Sequence, residues 1–324
     1  MRGRDELMER LAQRRRQKLG PLSQSAFEEL RLAVRANPDD FLEAPADEAF
    51  LLLVKALERH DATARDEEFL DEEAFYASRA KRRARLATAC EQALQLDPDC
   101  LDAALCQVLL RDQDPDALLA SLAQLDRDAG EKDGELAAPT DGDAWADVWC
   151  RGRLRVRAAI ARAYMDSARY RLAQAACEDL LRLSPFDALG ARHTCALVLA
   201  RLEDEAGFDA LDARFARHGD AWTHLGRGIL LNKLGRVSAA QRALLGFSRL
   251  CEGGAFALLR PIMIDTYLPD RPEAKPFSFQ EATLAVHEAD PIIVDVPDLP
   301  YWAEGIPQVA AAGRAYAESH GFDW

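Results

Sequence analysis

The sequence has no apolar run long enough to cross a lipid bilayer. A membrane helix needs roughly 18–20 consecutive apolar residues, whereas the aliphatic run Leu51 to Val54 is of the kind that a core helix carries. The N-terminal segment, MRGRDELMERLAQRRRQKLG, is highly charged and contains no apolar stretch typical of a signal peptide. We therefore expect no membrane association and a cytoplasmic location.

The motifs that mark common enzyme classes are also missing. The chain contains no phosphate-binding glycine loop, no G-x-S-x-G and no H-E-x-x-H, and its six histidines show no metal-type spacing. The tightest polar cluster is His218, Asp220 and His224. We interpret Asp220 as the N-cap of a helix that begins at Ala221, in preference to a metal ligand. The sequence thus predicts no catalytic residues, no metal site and no cofactor.

The seven cysteines form no C-x-x-C pair. Their odd number, wide spacing and apolar surroundings favour reduced, buried thiols over disulfides. Cys177 could approach His193 from the preceding helix, but the alanine-rich setting is typical of a core thiol and not of a nucleophile. The cysteines therefore indicate core packing.

Acidic residues outnumber basic ones by 55 to 41, which gives a formal net charge of −14. An acidic chain repels a phosphate backbone, so nucleic acid is an unfavoured partner. Two basic clusters stand against this trend, Arg14 to Lys18 and Arg79 to Arg85. Solvated helix faces paired with neighbouring carboxylates are the simpler interpretation, and an RNA-binding or acidic-partner patch is the alternative.

Helical periodicity runs through most of the chain and predicts an all-α protein. Gly and Pro residues break it in residues 128–143, DAGEKDGELAAPTDGD, which we interpret as an acidic linker. Four regions follow from this pattern: an N-terminal helical region (1–127), the linker (128–143), paired helices (144–255) and a proline-rich capping segment (256–324). Within the last region, the β-branched residues of Ile292 to Val296 favour an extended conformation.

A repeat of two helices recurs every 33 to 36 residues after the linker. The best example is 157–190, in which small and large residues alternate as closely packed helices require: Ala161, Tyr164, Tyr170, Ala173, Leu180 and Pro185. Residues 221–253 repeat this order, and the 1–127 region ends in a fainter copy around residues 83–112. These residues resemble the tetratricopeptide repeat, with Ala168 where the family usually has glycine. The resemblance implies an α-solenoid of antiparallel helix pairs.

The order of features along the chain carries a second likeness. A repeat ending in LDPD is followed by an acidic insertion, further repeats and a proline-rich ending. This order is similar to that of bacterial relatives of the suppressor-of-tumorigenicity type of repeat protein. The likeness implies no catalytic residues.

In the tetratricopeptide family the first helix of each pair lines a concave groove. The register of 157–190 implies that this groove carries six residues for a partner: Arg155, Arg162, Met165, Arg192, Trp222 and Lys233. Four cations among apolar neighbours could hold an acidic or C-terminal peptide. The alternative is that these cations pair with carboxylates of adjacent helices and only stabilise the fold.

Three functions remain open at this point. A non-catalytic protein-interaction scaffold is favoured, because a helical-repeat groove suits peptides and no reactive constellation is evident. The alternatives are an RNA-associated protein that uses the basic clusters, and an enzyme with an unrecognised site.

The helical pattern generates a direct test. Far-UV circular dichroism of the purified chain should report well over half of the residues as helical, and a helix content below about 45% would contradict the all-α prediction.

Overall fold

The computed structural model describes residues 3–67, 70–136, 142–262, 264–265 and 267–324. It confirms the all-α prediction: the described residues contain sixteen α-helices and no strand. In chain order the helices are α1 Gly3–Leu19, α2 Gln24–Ala36, α3 Pro45–Asp66, α4 Glu72–Leu96, α5 Leu101–Leu110, α6 Pro115–Asp133, α7 Arg151–Asp166, α8 Tyr170–Leu183, α9 Ala191–Arg201, α10 Glu205–Arg214, α11 Ala221–Lys233, α12 Val237–Leu250, α13 Gly254–Leu259, α14 Phe279–Ile293, α15 Asp298–Glu304 and α16 Pro307–His320.

The chain forms two compact units, Met1–Val156 and Arg157–Trp324. Their boundary falls within α7 and not in the predicted linker 128–143. Part of that linker is helical, because α6 continues to Asp133 and ends at Gly134 in a left-handed conformation (φ 77°). Residues 137–141 of the predicted linker lie outside the described residues.

Gly130 explains why α6 continues where a break was predicted. A Cβ at this glycine would lie 2.7 Å from Nη2 of Arg153, so the missing side chain allows a close approach. Arg153 donates to Asp126 at 2.9 Å and also to the carbonyl oxygen of Gly134. The glycine therefore serves tertiary packing within the helix, which outweighs its intrinsic helix-breaking tendency of about 1 kcal/mol.

In the first unit, neighbouring helices pack in sequence: α1 with α2 and α3, α3 with α4, α4 with α5, and α5 with α6. Its core contains fully buried leucines from five of these helices: Leu11, Leu53, Leu86, Leu105 and Leu122. Side chains cap two of these helices at their N-terminal ends. Ser23 accepts from the N–H of Ala26, and Asp114 accepts from the N–H groups of Asp116 and Ala117 ahead of a helix that begins at Pro115.

In the second unit, α9 packs against α8, α10 and α11, and α11 packs against α12. The turns between paired helices repeat the same backbone geometry. Residues Ala168 (φ 59°), Glu203 (φ 59°) and Gly235 (φ 71°) each occupy the left-handed region. The next residue in each turn donates its N–H to the carbonyl oxygen five positions earlier, as in Arg169 to Tyr164 at 2.8 Å. Each turn is thus a Schellman motif that reverses the chain at one repeating position.

The remainder of the second unit departs from the sequence prediction at one point. Residues 292–296 are not extended: α14 continues to Ile293, and the N–H of Val294 donates to the carbonyl oxygen of Asp290 at 2.9 Å. Ile292 is completely buried. Its burial outweighs both β-branched propensity and the helix-breaking effect of Pro291, which lies near the C-terminal end of the helix.

The repeated turns predict the effect of exchanging alanine and glycine. Ala168→Gly should stabilise the protein by about 0.5–1 kcal/mol, because glycine adopts positive φ without the strain of a Cβ atom. Glu203→Gly should stabilise less or destabilise, because it also removes the carboxylate that pairs with Lys233 at 3.4 Å. Gly235→Ala should destabilise by a similar amount, since a Cβ there meets no neighbouring atom and only the backbone strain changes. Urea denaturation midpoints measure all three, and a destabilising Ala168→Gly would contradict the assigned turn geometry.

Candidate functional site

The residues predicted to line a groove lie on α7, α9 and α11, and α14 packs against the last two of these helices. It contributes a stripe of buried residues at helical spacing, Ala282, Ala285, Ala289 and Ile292. Met165 and Trp222 have only 2% and 3% of their surface exposed, and both belong to the same apolar cluster as these alanines. We call the surface formed by Leu197, Val198, Trp222, Leu225 and Ile229 the α9–α11 face.

One carboxylate of α14 holds the helix to this face. Glu288 is buried, and Trp222 Nε1–H donates to its Oε2 at 2.6 Å. The hydroxyl of Tyr267 and the Nε–H of Arg271 (2.7 Å) both donate to Oε1. Burial by itself would raise the pKa of Glu288, but the charge and hydrogen bonds of Arg271 and the hydrogen bond of Tyr267 outweigh it and lower the pKa. Glu288 is therefore an ionised acceptor with a full set of donors.

Arg271 joins this carboxylate to the loop before α9. Its Nη1 donates to the carbonyl oxygens of Leu189 (3.0 Å) and Gly190 (2.5 Å). Its Nη2 donates to Thr194 Oγ1 and Glu288 Oε2, each at 3.1 Å. Together with Nε, all five N–H donors of the guanidinium are engaged, which only arginine could achieve. We call Trp222, Tyr267, Arg271 and Glu288 the latch.

Gly190 is required at this position for two reasons. Its φ of +67° is left-handed, and a Cβ atom would lie 1.9 Å from Nη1 of Arg271. No ordinary side chain fits that distance. The loop before α9 therefore needs glycine at this position to let Arg271 approach its backbone.

The four cations of the predicted wall each make a contact within the chain. Arg155 lies in the first unit, where it is buried and donates to Glu6 (2.6 Å) and Asp102 (3.0 Å). Arg162 lies over the ring of Tyr267, with 4.7 Å from Cζ to the ring centroid. Two others are engaged by carboxylates of nearby elements: Arg192 with Asp187 and Asp220 (3.6 Å each), and Lys233 with Glu203 (3.4 Å). The alternative stated for these cations, pairing with adjacent carboxylates, describes Arg155, Arg192 and Lys233.

The cluster around Asp220 matches its interpretation as a helix cap. Asp220 Oδ1 accepts from the N–H of Thr223 at 2.8 Å at the start of α11. Its Oδ2 lies 3.3 Å from His193 Nδ1, and the His193 ring stacks on Trp222 with 4.1 Å between centroids. Burial opposes ionisation here, but the proximity of His193 and the two hydrogen bonds from Thr223 lower the pKa of Asp220. The adjoining cavity, of about 30 Å³, has room for one or two waters.

The other chemical candidates in the sequence show no catalytic arrangement among the described residues. Cys177 lies against Cys195, and this thiol contact together with burial raises its pKa well above the ordinary value, the reverse of an activated nucleophile. All seven cysteines are free. In the described part of the chain, no group of three or more His, Cys, Asp or Glu side chains is placed to hold a metal ion. No helix there is both long and apolar enough to span a bilayer.

The fold and this site define an all-α protein of sequentially paired helices in which one helix is latched across two others. Comparison with protein-family models, with curated proteins and with solved structures gave no match. The latch itself was missed by the sequence prediction, which named Trp222 but none of the residues that contact it here. Arg271 and Glu288 carried no motif, because their contacts join residues up to 82 positions apart.

The latch predicts a strong, pH-dependent contribution to stability. Glu288→Gln should lower the free energy of unfolding by about 3–5 kcal/mol, because Arg271 remains buried without its counter-charge. Since the folded pKa of Glu288 is lowered, its contribution is present above the ordinary glutamate value of about 4.3 and is lost as the pH falls through the folded value.

Glu304→Gln is the matched control, because Glu304 pairs with Arg260 at 3.0 Å in an exposed setting. It should cost less than about 1 kcal/mol. Equal urea midpoints for the two variants, or an unchanged acid-unfolding curve for Glu288→Gln, would contradict the assigned role of the latch.

Proposed function

We propose that this chain is a helical-repeat adaptor of the tetratricopeptide type that binds a protein partner on its α9–α11 face, in exchange for α14. The observation that carries the proposal is the docking of α14 itself. A helix lies on the first helices of two successive pairs, where the sequence resemblance implies the partner site. Its occupant is a mostly buried helix, which also packs against α13, and its acidic anchor matches the acidic peptide expected from the sequence.

The repeated turns at Ala168, Glu203 and Gly235 support the repeat assignment. They recur at intervals close to the length of a tetratricopeptide unit, with the same hydrogen-bond pattern. An α-solenoid, a cytoplasmic location and a non-catalytic role without cofactors are parts of the same proposal. The C-terminal region then acts as both cap and resident ligand of the repeats.

The partner's chemistry follows from the contacts of α14. A competing helix must present small side chains at the spacing of Ala282, Ala285 and Ala289, because the α9–α11 face meets them at close range. It must also present a carboxylate where Glu288 receives the indole N–H of Trp222. We therefore propose an amphipathic, acidic helix as the partner.

Tethering makes α14 a strong competitor. The segment between α13 and α14 holds it near the face at an effective concentration on the order of millimolar. A partner helix of the same intrinsic affinity, present at micromolar concentration, would therefore displace α14 from only a small fraction of the molecules. Loosening of the latch is the step that such a partner needs.

Hydrogen exchange measured by mass spectrometry on the full chain tests the exchange mechanism. In wild type, amides of residues 279–293 should exchange faster than those of 191–201 and 221–233, because α14 opens without global unfolding. Arg271→Gln should accelerate exchange in 279–293 further and leave the other two segments protected. Arg314→Gln serves as a control, because it removes the same charge from an exposed residue of α16 that contacts Trp324 and not the latch.

A labelled peptide of residues 279–293 then tests the binding face. It should bind the full-chain variant Glu288→Gln more tightly than wild type, because that variant loosens α14 but keeps the donors of Trp222 and Arg271 on the face. The same peptide carrying Glu288→Gln should bind more weakly. Simultaneous loss of protection in all three segments of Arg271→Gln would show that α14 is a permanent part of the core and would defeat the proposal.

A further inference from the structure

A small basic cavity lies between α3 and α4 in the first unit. It has a volume of about 60 Å³. Each helix presents one face to it, with residues three or four positions apart: Ala56, Arg59, His60 and Thr63 from α3, and Arg82, Arg85, Leu86 and Ala89 from α4. No carboxylate is among these described lining residues. In a chain of net charge −14, this arrangement is exceptional.

Arg82 has a fixed position in this cavity. The residue is 4% exposed, and it donates to Glu67 through Nε (3.1 Å) and Nη2 (2.8 Å). Its Nη1 lies 2.7 Å from His60 Nε2, so His60 accepts this hydrogen bond with the proton on Nδ1. Nδ1 in turn lies 3.4 Å from Asp61. Glu67 thus balances the charge of Arg82, and none of the described residues that line the cavity supplies a negative charge to the other two arginines.

Arg59 and Arg85 are those two arginines. Both are exposed, and neither side chain has an ion pair or hydrogen bond within the part of the chain that the structure describes. The cations of the first basic cluster differ: Arg14 pairs with Asp47 at 2.8 Å, and Arg15 pairs with Glu43 at 2.7 Å. Two like charges at one cavity repel each other, and an anion between them would remove that repulsion.

We propose that this cavity is a binding site for a phosphate-class oxyanion, held by Arg59 and Arg85 from opposite helices. The volume of about 60 Å³ is well above the roughly 10–15 Å³ that a single water needs, so the cavity has room for a group larger than one water. Planar guanidinium groups match phosphate oxygens with paired, charge-assisted hydrogen bonds. Small Ala56 and Ala89 leave the space free, and the hydroxyl of Thr63 is engaged with the carbonyl oxygen of Arg59 at 2.9 Å.

The site does not depend on the proposed partner exchange. It lies in Met1–Val156, whereas α14 and its binding face belong to Arg157–Trp324. Failure of one proposal therefore leaves the other standing. The site also assigns a role to Arg85 in the second basic cluster, where Arg82 is buried and Arg83 donates to the carbonyl oxygen of Leu110 at 3.1 Å.

Isothermal titration of the full chain with inorganic phosphate at low ionic strength tests the proposal. Wild type should show saturable binding of one phosphate per chain. The double variant Arg59→Gln/Arg85→Gln should bind at least tenfold more weakly, because it loses two charge-assisted contacts. The matched control is Arg35→Gln/Arg111→Gln, which removes the same charge from two exposed arginines of the same unit that do not line the cavity. Its affinity should stay within about twofold of wild type, since only long-range attraction changes.

Parallel titrations identify the ligand class and its source. Sulfate and phosphate should both bind, and acetate should bind more weakly. Glycerol phosphate distinguishes a phosphate ester from free phosphate as the preferred form, and tighter binding of either supports the site. No saturable binding by wild type, equal losses in the two double variants, or acetate binding as tight as phosphate would each overturn the proposal. Circular dichroism of every variant ensures that a loss of binding is not a loss of fold.

Discussion

The buried ion pair between Glu288 and Arg271 determines how the second unit closes. The α9–α11 face is apolar and would be open to water if the chain ended after α12. α14 covers it with small side chains, but small side chains specify position only weakly. The charged pair removes that ambiguity, because its hydrogen bonds are satisfied in one placement of α14 relative to Trp222 and the loop at Gly190. A displaced helix would leave two charges buried and unpaired, which is far more unfavourable than a shift among alanines.

Arginine side chains make many of the buried ion pairs, hydrogen bonds and aromatic-ring contacts in both units. In the first unit, Glu6 and Asp102 are shared by Arg10 and Arg155, and all four side chains are mostly buried. Burial would raise the pKa of Asp102, but the charges and hydrogen bonds of Arg155 and Arg10 lower it. Several arginines also lie over aromatic rings, as Arg10 does over Phe50 at 3.7 Å. An excess of acidic residues at the surface therefore coexists with basic groups that are largely committed to internal contacts.

Local physics made parts of this architecture predictable. The caps at Ser23, Asp114 and Asp220 and the helix start at Pro115 follow from hydrogen-bonding groups within a few residues, so the sequence indicates them directly. The turn at Ala168 was recognised from its position in the repeat. The end of α6, the helical conformation of Ile292 and the covering of Met165 and Trp222 could not be predicted in this way. Each depends on a neighbour far along the chain: Arg153 for Gly130, and α14 for the groove residues. The functional prediction named Trp222 but could not foresee that α14 packs against α11 there and that Glu288 accepts its indole N–H.

The position of the latch along the chain has a consequence for synthesis on the ribosome. α9 and α11 are synthesised before Arg271 and Glu288, because α11 ends at Lys233, 55 positions ahead of Glu288. At typical rates of about 5–20 residues per second, the apolar face waits several seconds for its own helix. During that interval no tethered helix covers the face. The α9–α11 face is therefore exposed once in the lifetime of each molecule, whereas α14 covers it in the folded protein.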